Sequence, residues 1–322
     1  MTGEHGRFAI LALALLIDAA VGDPAWLYRR LPHPVALFGD LISWLDLTLN
    51  RDADGVGARR RAGIAAIGVA VGAAATLGLV IHAALGLLPL GRIAEAIFAS
   101  AFLAQRSLYV HVAAVALALE SGGLAAARTA VGHIVGRDPD SLDAAGVSRA
   151  GLESLAENYS DGIIAPLFWG LALGLPGLLA YKMINTADSM IGHRSPRHRD
   201  FGWAAARLDD AANFLPARLS GLLIVAAAAL VPGARWRTAF ASMRRDAPRH
   251  RSPNAGWPEA ALAGALGLAL AGPRRYAAGA VDDALMGDGR ADCTAADIRR
   301  GLRLYIMACA LPVLAVSIMA IL

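Results

Sequence analysis

Apolar residues in this chain fall in long unbroken runs separated by short polar stretches. The runs at 62–88 and 304–322 are each long enough to cross a bilayer as one helix. The run at 8–22 is short. The run at 93–104 is shorter still, but it follows the Pro89/Gly91 break and pairs with 62–88 as a helical hairpin. Three further runs lie at 162–181, 219–231 and 260–271. The first is interrupted by Gly174-Leu175-Pro176 and the others are too short for a simple crossing. They read as re-entrant or protein-buried, because irregular backbone at membrane depth must lie against protein or a cavity. Between the runs, 107–120 and 124–135 carry apolar residues at three- and four-residue spacing, with Gly122-Gly123 as the break. No run alternates at period two, so strands are not expected. The pattern predicts an all-α, polytopic helical integral membrane protein, one membrane-embedded domain over 1–322 with short or re-entrant helices.

Composition agrees. Of 322 residues, 57% are hydrophobic and 17% charged, against about 25% charged in a typical soluble domain; mean hydropathy is +0.50. The formal charge is +4, and Lys182 is the only lysine among 30 basic residues. Arginine offers a planar fork of donors suited to phosphate and carboxylate. The basic residues lie in 23–61, 105–161, 182–218, 232–259 and 272–303, all of which prefer the cytoplasm. Five loops on one side cannot be joined by single crossings, a second reason to expect re-entrant segments. No basic stripe of the kind that tracks nucleic acid is present. Cys293 and Cys309 show no metal or redox spacing, so neither a disulfide framework nor a zinc site is expected. The apolar start at 8–17 is followed at once by Asp18 without a small-residue cleavage site, and reads as a retained helix.

Polar chemistry concentrates in three clusters. In the first, Glu153, Glu157 and Asp161 stand at i, i+4 and i+8, with Asn158 between them, so one continuous helix would present three carboxylates on one face. Like charges at that spacing repel and call for a cation or an arginine. Oxygen ligands of this type suit Mg²⁺ carried with a nucleotide. The second runs from Lys182 through Asn185, Thr186, Asp188 and Ser189 to His193; Asn185 and Asp188 share a helix face. Lys182, at the end of an apolar run, suits a phosphate or an interfacial position. The third sets adjacent Asp209 and Asp210 between Arg207 and Arg218, with Asn213 alongside, an arrangement that fits metal plus phosphate or a salt-bridged helix.

Smaller patches are Asp18, Asp23-Pro24 and His33-Pro34 after the first helix, the Gly136-Arg137-Asp138-Pro139 turn, and Ser252-Pro253-Asn254-Ala255-Gly256 opening an apolar helix. Amides of that last turn are candidates for an anion. His82 and His111 read as packing residues rather than ligands. P-loop, nucleophile-elbow, H-E-x-x-H and G-x-G-x-x-G patterns are all missing from the sequence. The residues alone reach a helical membrane protein with a carboxylate, amide and arginine site at the cytoplasmic interface, suited to a Mg²⁺-nucleotide or phosphate.

Taken in order, these motifs resemble the CobD/CbiB family, the membrane adenosylcobinamide-phosphate synthases of cobalamin biosynthesis. The likeness runs through Asp18…Gly22-Asp23-Pro24, His33-Pro34-Val35, Gly136-Arg137-Asp138, Glu153…Glu157-Asn158…Asp161-Gly162…Ala165-Pro166, Asn185-Thr186…Asp188-Ser189-Met190, Ala206-Arg207-Leu208-Asp209-Asp210…Asn213…Pro216…Arg218 and Ser252-Pro253-Asn254-Ala255-Gly256. His193, Ala36-Leu37-Phe38 and Tyr276…Gly279 depart from the family pattern and bear on substrate detail. The resemblance implies ATP-dependent amide formation between a propionate of adenosylcobyric acid and (R)-1-aminopropan-2-ol or its O-phosphate. It implies Mg²⁺ on Glu153, Glu157, Asp188 and Asp209 or Asp210, and phosphate contacts from Arg137, Lys182, Arg207 and Arg218. Asn158, Asn185 and Asn213 would orient substrates, Asp161 would stand with the catalytic residues, and Asn254 with those that bind the nucleotide. It also implies a multi-pass protein of the cell inner membrane with active-site loops facing the cytoplasm. Candidate protein partners are a second copy or other enzymes of the pathway. Two other readings stand beside it. One is a non-catalytic sensor or regulator of the same family. The other is a CDP-alcohol-type phosphotransferase, suggested by Asp161-Gly162-Ile-Ile-Ala165 but lacking that family's Arg and downstream Asp pair.

Overall fold

The computed structural model describes residues 3–51, 53–136, 138–272, 274–276, 279–281 and 283–322. They form helices α1 (Gly3–Ala20), α2 (Ala25–Tyr28), α3 (Pro34–Leu49), α4 (Val56–Gly86), α5 (Gly91–Ser100), α6 (Gln105–Leu117), α7 (Gly123–Gly132), α8 (Ala144–Tyr159), α9 (Ala165–Ile191), α10 (Trp203–Ala212), α11 (Phe214–Leu230), α12 (Trp236–Asp246), α13 (Gly256–Leu266) and α14 (Ala295–Ile321). Against the expectation of no strands, four very short ones occur: β1 (Leu270–Ala271) pairs antiparallel with β4 (Leu285–Met286), and β2 (Arg274–Tyr276) with β3 (Gly279–Val281). They are too short for a period-two signal to register in sequence.

Among the described residues, four helical stretches are long and apolar enough to cross a membrane: Val56–Gly86, Gly91–Gly132, Ala144–Ile191 and Ala295–Ile321. A fifth arises if α10 and α11, bent by 44°, are one broken span. The expected spans at 62–88 and 304–322 are therefore present. The run at 93–104 continues instead into the segment expected to be a cytoplasmic loop, which is helical through α6 and α7. The run at 8–22 forms α1 but does not join the spans, because Glu4, Arg7 and Asp18 break up its apolar window.

The chain divides into two compact units, each threaded more than once: 1–104, 165–213 and 316–322 make up unit 1, and 105–164 with 214–315 make up unit 2. In unit 1, α4 packs along α9, and α1 against α5. The packed face of α4 is Gly63, Ala66, Ile67, Ala70, Ala74 and Gly78, a small-residue stripe at helical spacing. Such stripes let backbones approach in lipid, where no hydrophobic force drives helices together. A Cβ on Gly78 would lie 2.7 Å from the Pro176 Cα, so the approach depends on its absence. The break read at Gly174-Leu175-Pro176 is real: Gly174 adopts φ 71° and ψ −157° inside α9, a conformation open to glycine. Arg7 Nη1 donates to the Leu171 and Ala172 carbonyls released there, at 3.0 Å each.

In unit 2, α11, α12 and α13 pack on one another and α8 on α6 and α13. The 118–122 segment is a π-turn ending at Gly123 (φ 75°), where the sequence marks the break. Asp246 fastens the short-strand region, accepting from Gly287 N (2.9 Å) and Arg245 (2.7 Å). Burial alone would raise its carboxyl, but Arg245, the Gly287 amide and Arg249 hold it below the usual range. Cys293 and Cys309 are free and buried. Burial, with Asp297 nearby, pushes the Cys293 thiol up to about 11.

Candidate functional site

The second and third polar clusters meet within unit 1. Asn185 and Asp188 lie on the last turns of α9, and Asp209 and Asp210 on α10, which packs against α9. Asn213 follows α10 and is 1% exposed. A hydrogen-bond chain fixes its amide. Tyr181 Oη donates to Asn213 Oδ1 at 2.8 Å, and Asn213 Nδ2 donates to Asp209 Oδ2 at 3.0 Å. Asn185 also lies beside the Asp209 carboxylate, and the charges of Asp188 and Asp210 act on it. Asp209 Oδ1 is buried and accepts no hydrogen bond among the described residues. A buried carboxylate oxygen left open, on a group that feels the charges of two further carboxylates, fits a bound cation.

Tyr181 and Trp169 escaped the sequence reading. The Trp169 indole donates to the Ala212 carbonyl at 3.1 Å. Tyr181, with Ala165, Ile184 and Ala212, forms a small buried cluster beneath the polar residues. Each ends or interrupts an apolar run, where an aromatic is unremarkable. Only the packing of α10 on α9 gives them partners. Lys182 is half-buried on α9, and its carbonyl accepts from Thr186 Oγ1 at 2.7 Å. Arg207 pairs with Asp210 at 3.6 Å, the salt-bridged helix that the spacing allows.

The loop after α9 is pinned by residues that carried no sequence signal. Arg197 donates to Asp46 Oδ2 from Nη2 (2.8 Å) and Nε (3.0 Å), and Asn50 Nδ2 donates to Asp46 Oδ1 at 2.7 Å. Burial pushes the Asp46 carboxyl upward, but these bonds, a contact from His198 and the Arg197 charge outweigh it and leave it below its usual value.

The first cluster belongs to unit 2 and does not form one acidic face. A π-turn at Ser160–Ile164 follows α8 and breaks the register before Asp161. Glu153 is buried and accepts the Ala271 N–H at 2.7 Å, whereas Glu157 is exposed. Asn158 donates to Ser154 O at 3.0 Å. In the same unit, the Arg218 guanidinium lies 3.5 Å from the Phe214 ring centroid and 4.5 Å from that of Trp257, and donates to Phe214 O at 2.6 Å. Asn254 is buried in the turn before α13. The Asn254 and Ala255 amides expected to hold an anion instead donate to Ser252 Oγ, both at 3.2 Å. Arg137 lies outside the described residues. Among the described residues no group of three or more His, Cys, Asp or Glu side chains is placed to hold a metal ion.

His82 and His111 are not packing residues. His82 Nδ1 lies 2.8 Å from buried Glu95, and His111 Nδ1 lies 2.7 Å from the Ser107 carbonyl; both histidines are exposed. Asp23 and His33 pair at 3.3 Å.

Fold and site together define a multi-pass helical membrane protein with a buried acidic–amide cluster on paired helices. The sequence matches the profile of the CobD/Cbib protein family over residues 11–305. It is 53% identical to "Cobalamin biosynthesis protein CobD" of Sinorhizobium sp over 303 residues, 93% of this chain and 94% of that one. It is 52% identical to the protein of that name in Brucella anthropi (93% and 92% covered), and 48% identical to that in Rhodobacter capsulatus (98% of each). No solved structure matches it. The chain belongs to the CobD/CbiB family, and its role lies in cobalamin biosynthesis.

Proposed function

We propose that the protein is an ATP-dependent amide ligase that joins a propionate carboxylate of adenosylcobyric acid to aminopropanol or aminopropanol phosphate. The observation that carries the reading is the Tyr181–Asn213–Asp209 chain, which holds a buried carboxylate with one oxygen open beside Asp188 and Asp210. Family membership supports the pathway, and the cluster supports a reaction that handles phosphate and cation together.

A carboxylate does not accept an amine until its oxygen becomes part of a good leaving group. In the proposed route a propionate oxygen attacks the γ-phosphorus of ATP and ADP departs, leaving an acyl phosphate. The amine then attacks the acyl carbon, the C–N bond forms, and inorganic phosphate leaves with the former carboxylate oxygen. Asp209 with Asp188 or Asp210 would hold Mg²⁺, which would neutralise phosphate charge when bound; one or two protein carboxylates suffice because the nucleotide supplies the remaining oxygens. Asn213, locked by Tyr181, keeps Asp209 oriented. Asn185 is proposed to orient substrate and Lys182 to meet phosphate, so that positioning and electrostatics carry the catalysis. In unit 2, Glu153 spends one oxygen on Ala271 N–H, and Arg218, Asn254, Glu157, Asn158 and Asp161 stand as candidates for substrate recognition. We further propose the inner membrane as its location, with the acidic cluster on the cytoplasmic side, where ATP is.

The test is mass spectrometry of detergent-purified protein given adenosylcobyric acid and Mg²⁺-ATP with either amine. ATP-dependent amide product establishes the ligase and names the amine. Absence of product with both amines, from folded protein, would favour the sensor reading. Propionate labelled with ¹⁸O should deliver one labelled oxygen to the released phosphate; unlabelled phosphate would remove the acyl-phosphate step.

A further inference from the structure

Unit 1 holds a concavity that the proposed reaction does not use. A cavity of about 850 Å³ opens where α4 turns into α5, and α1, α4, α5 and α9 all contribute to its wall. That volume lies within the range of small-molecule sites, about 300–1,000 Å³. Its wall is largely aliphatic, with Leu79, Leu85, Leu88, Ile93, Leu173 and Leu178 among the lining residues. The Arg7 and Arg92 guanidinium groups also line it. The acid of the wall, Glu95, is 4% exposed and engaged by His82 at 2.8 Å, so it does not offset the two arginines at the surface.

The two arginines differ in how they are held. Arg7 is anchored by the carbonyls of Leu171 and Ala172 through Nη1, and it lines the cavity. Arg92 is exposed and lies against Gly6 of α1. The cavity is also remote from the acidic cluster: Gly174 in its wall and Asp188 are separated by about 20 Å of helix. It sits at the end of α4, a helix long and apolar enough to cross a bilayer; such a crossing would set the cavity near the lipid headgroups.

An aliphatic cavity lined by two positive charges, one of them anchored, fits an anionic amphiphile. A soluble anion would leave the leucine wall wet. A zwitterionic lipid would bring its own cation against the arginines. We propose that this cavity binds an anionic phospholipid, with an acyl chain along Leu79, Leu85, Ile93 and Leu173 and its phosphate between Arg7 and Arg92.

The test uses delipidated full-length protein in neutral detergent and needs no turnover. Thermal unfolding and native mass spectrometry are recorded with phosphatidylglycerol, phosphatidylcholine and inorganic phosphate. Phosphatidylglycerol should raise the unfolding midpoint and remain bound, while the other two should not. Arg92→Ala should weaken phosphatidylglycerol binding about fivefold and leave the midpoint in phosphatidylcholine unchanged, since Arg7 still caps the α9 break. Ile93→Trp, which fills the cavity, should weaken it as well while Arg92 stays in place. Equal stabilisation by the two lipids would reduce the cavity to generic apolar filling and overturn the proposal. So would inorganic phosphate matching phosphatidylglycerol, or both variants binding it like wild type.

Discussion

Asp209 keeps one oxygen on Asn213 and the other open and buried, with Asp188 and Asp210 near enough for their charges to be felt. A carboxylate so placed should be indispensable for charge. Asp209→Asn or Asp188→Asn is expected to lower ligation about 10²-fold and to abolish stabilisation by Mg²⁺-ATP, measured by thermal shift with and without nucleotide. Retention of full nucleotide stabilisation in both variants would move the cation elsewhere. Tyr181→Phe leaves the buried Asn213 Oδ1 without its donor and should cost about 1–3 kcal/mol, read from chemical denaturation. It should also lower kcat more than it raises KM, because Asn213 can then rotate away from Asp209. Asn185, Asp188, Asp209, Asp210 and Asn213 were legible as sequence motifs because their types and spacing are unusual beside apolar runs. Tyr181 was not, since its role exists only once α10 lies on α9.

At the level of elements, α4 and α9 carry unit 1. Gly78→Leu would drive a side chain into the Pro176 backbone and should destabilise by about 1–3 kcal/mol, visible as a lower Tm in a fixed detergent. Asp46 ties α3 to the loop after α9. Its folded carboxyl titrates below the unfolded value near 3.9. The stabilisation is therefore complete above about pH 5 and disappears as pH falls through the folded value. Asp46→Asn should cost about 2 kcal/mol at pH 7, and the gap to wild type should narrow below about pH 4 in denaturation curves taken across pH. A gap independent of pH would mean that shape rather than charge holds the loop. The broken α9 could be read from Gly174-Leu175-Pro176 because glycine and proline act locally. The π-turn at Ser160–Ile164 could not. It shifts the register after Glu157, and an ideal helix drawn through Glu153, Glu157 and Asp161 misses it.

For the molecule as a whole, membrane character was plain from run length and composition, while the path of the chain was not. Arginine-rich loops suggested five segments on one side, yet the 105–161 stretch is mostly helix, and its first part extends a span candidate. Positive residues count towards topology only where they flank true crossings, and the hydropathy of 105–132 is diluted by Arg106, Glu120 and Arg128. The chain also returns to each unit after leaving it, so residues close in sequence, such as Asp161 and Asp188, belong to different units. No local pattern encodes that.

As proposed above, the acidic–amide cluster of unit 1 would be the ATP-handling end of an amide ligase. It is tested most directly by comparing ATP-dependent amide formation from adenosylcobyric acid in wild type and in Asp209→Asn, both shown to be folded by circular dichroism and size-exclusion chromatography. Wild type should give product and stoichiometric ADP, and the variant about 10²-fold less of both. Equal product from the two proteins, or none from wild type with either amine, would contradict it.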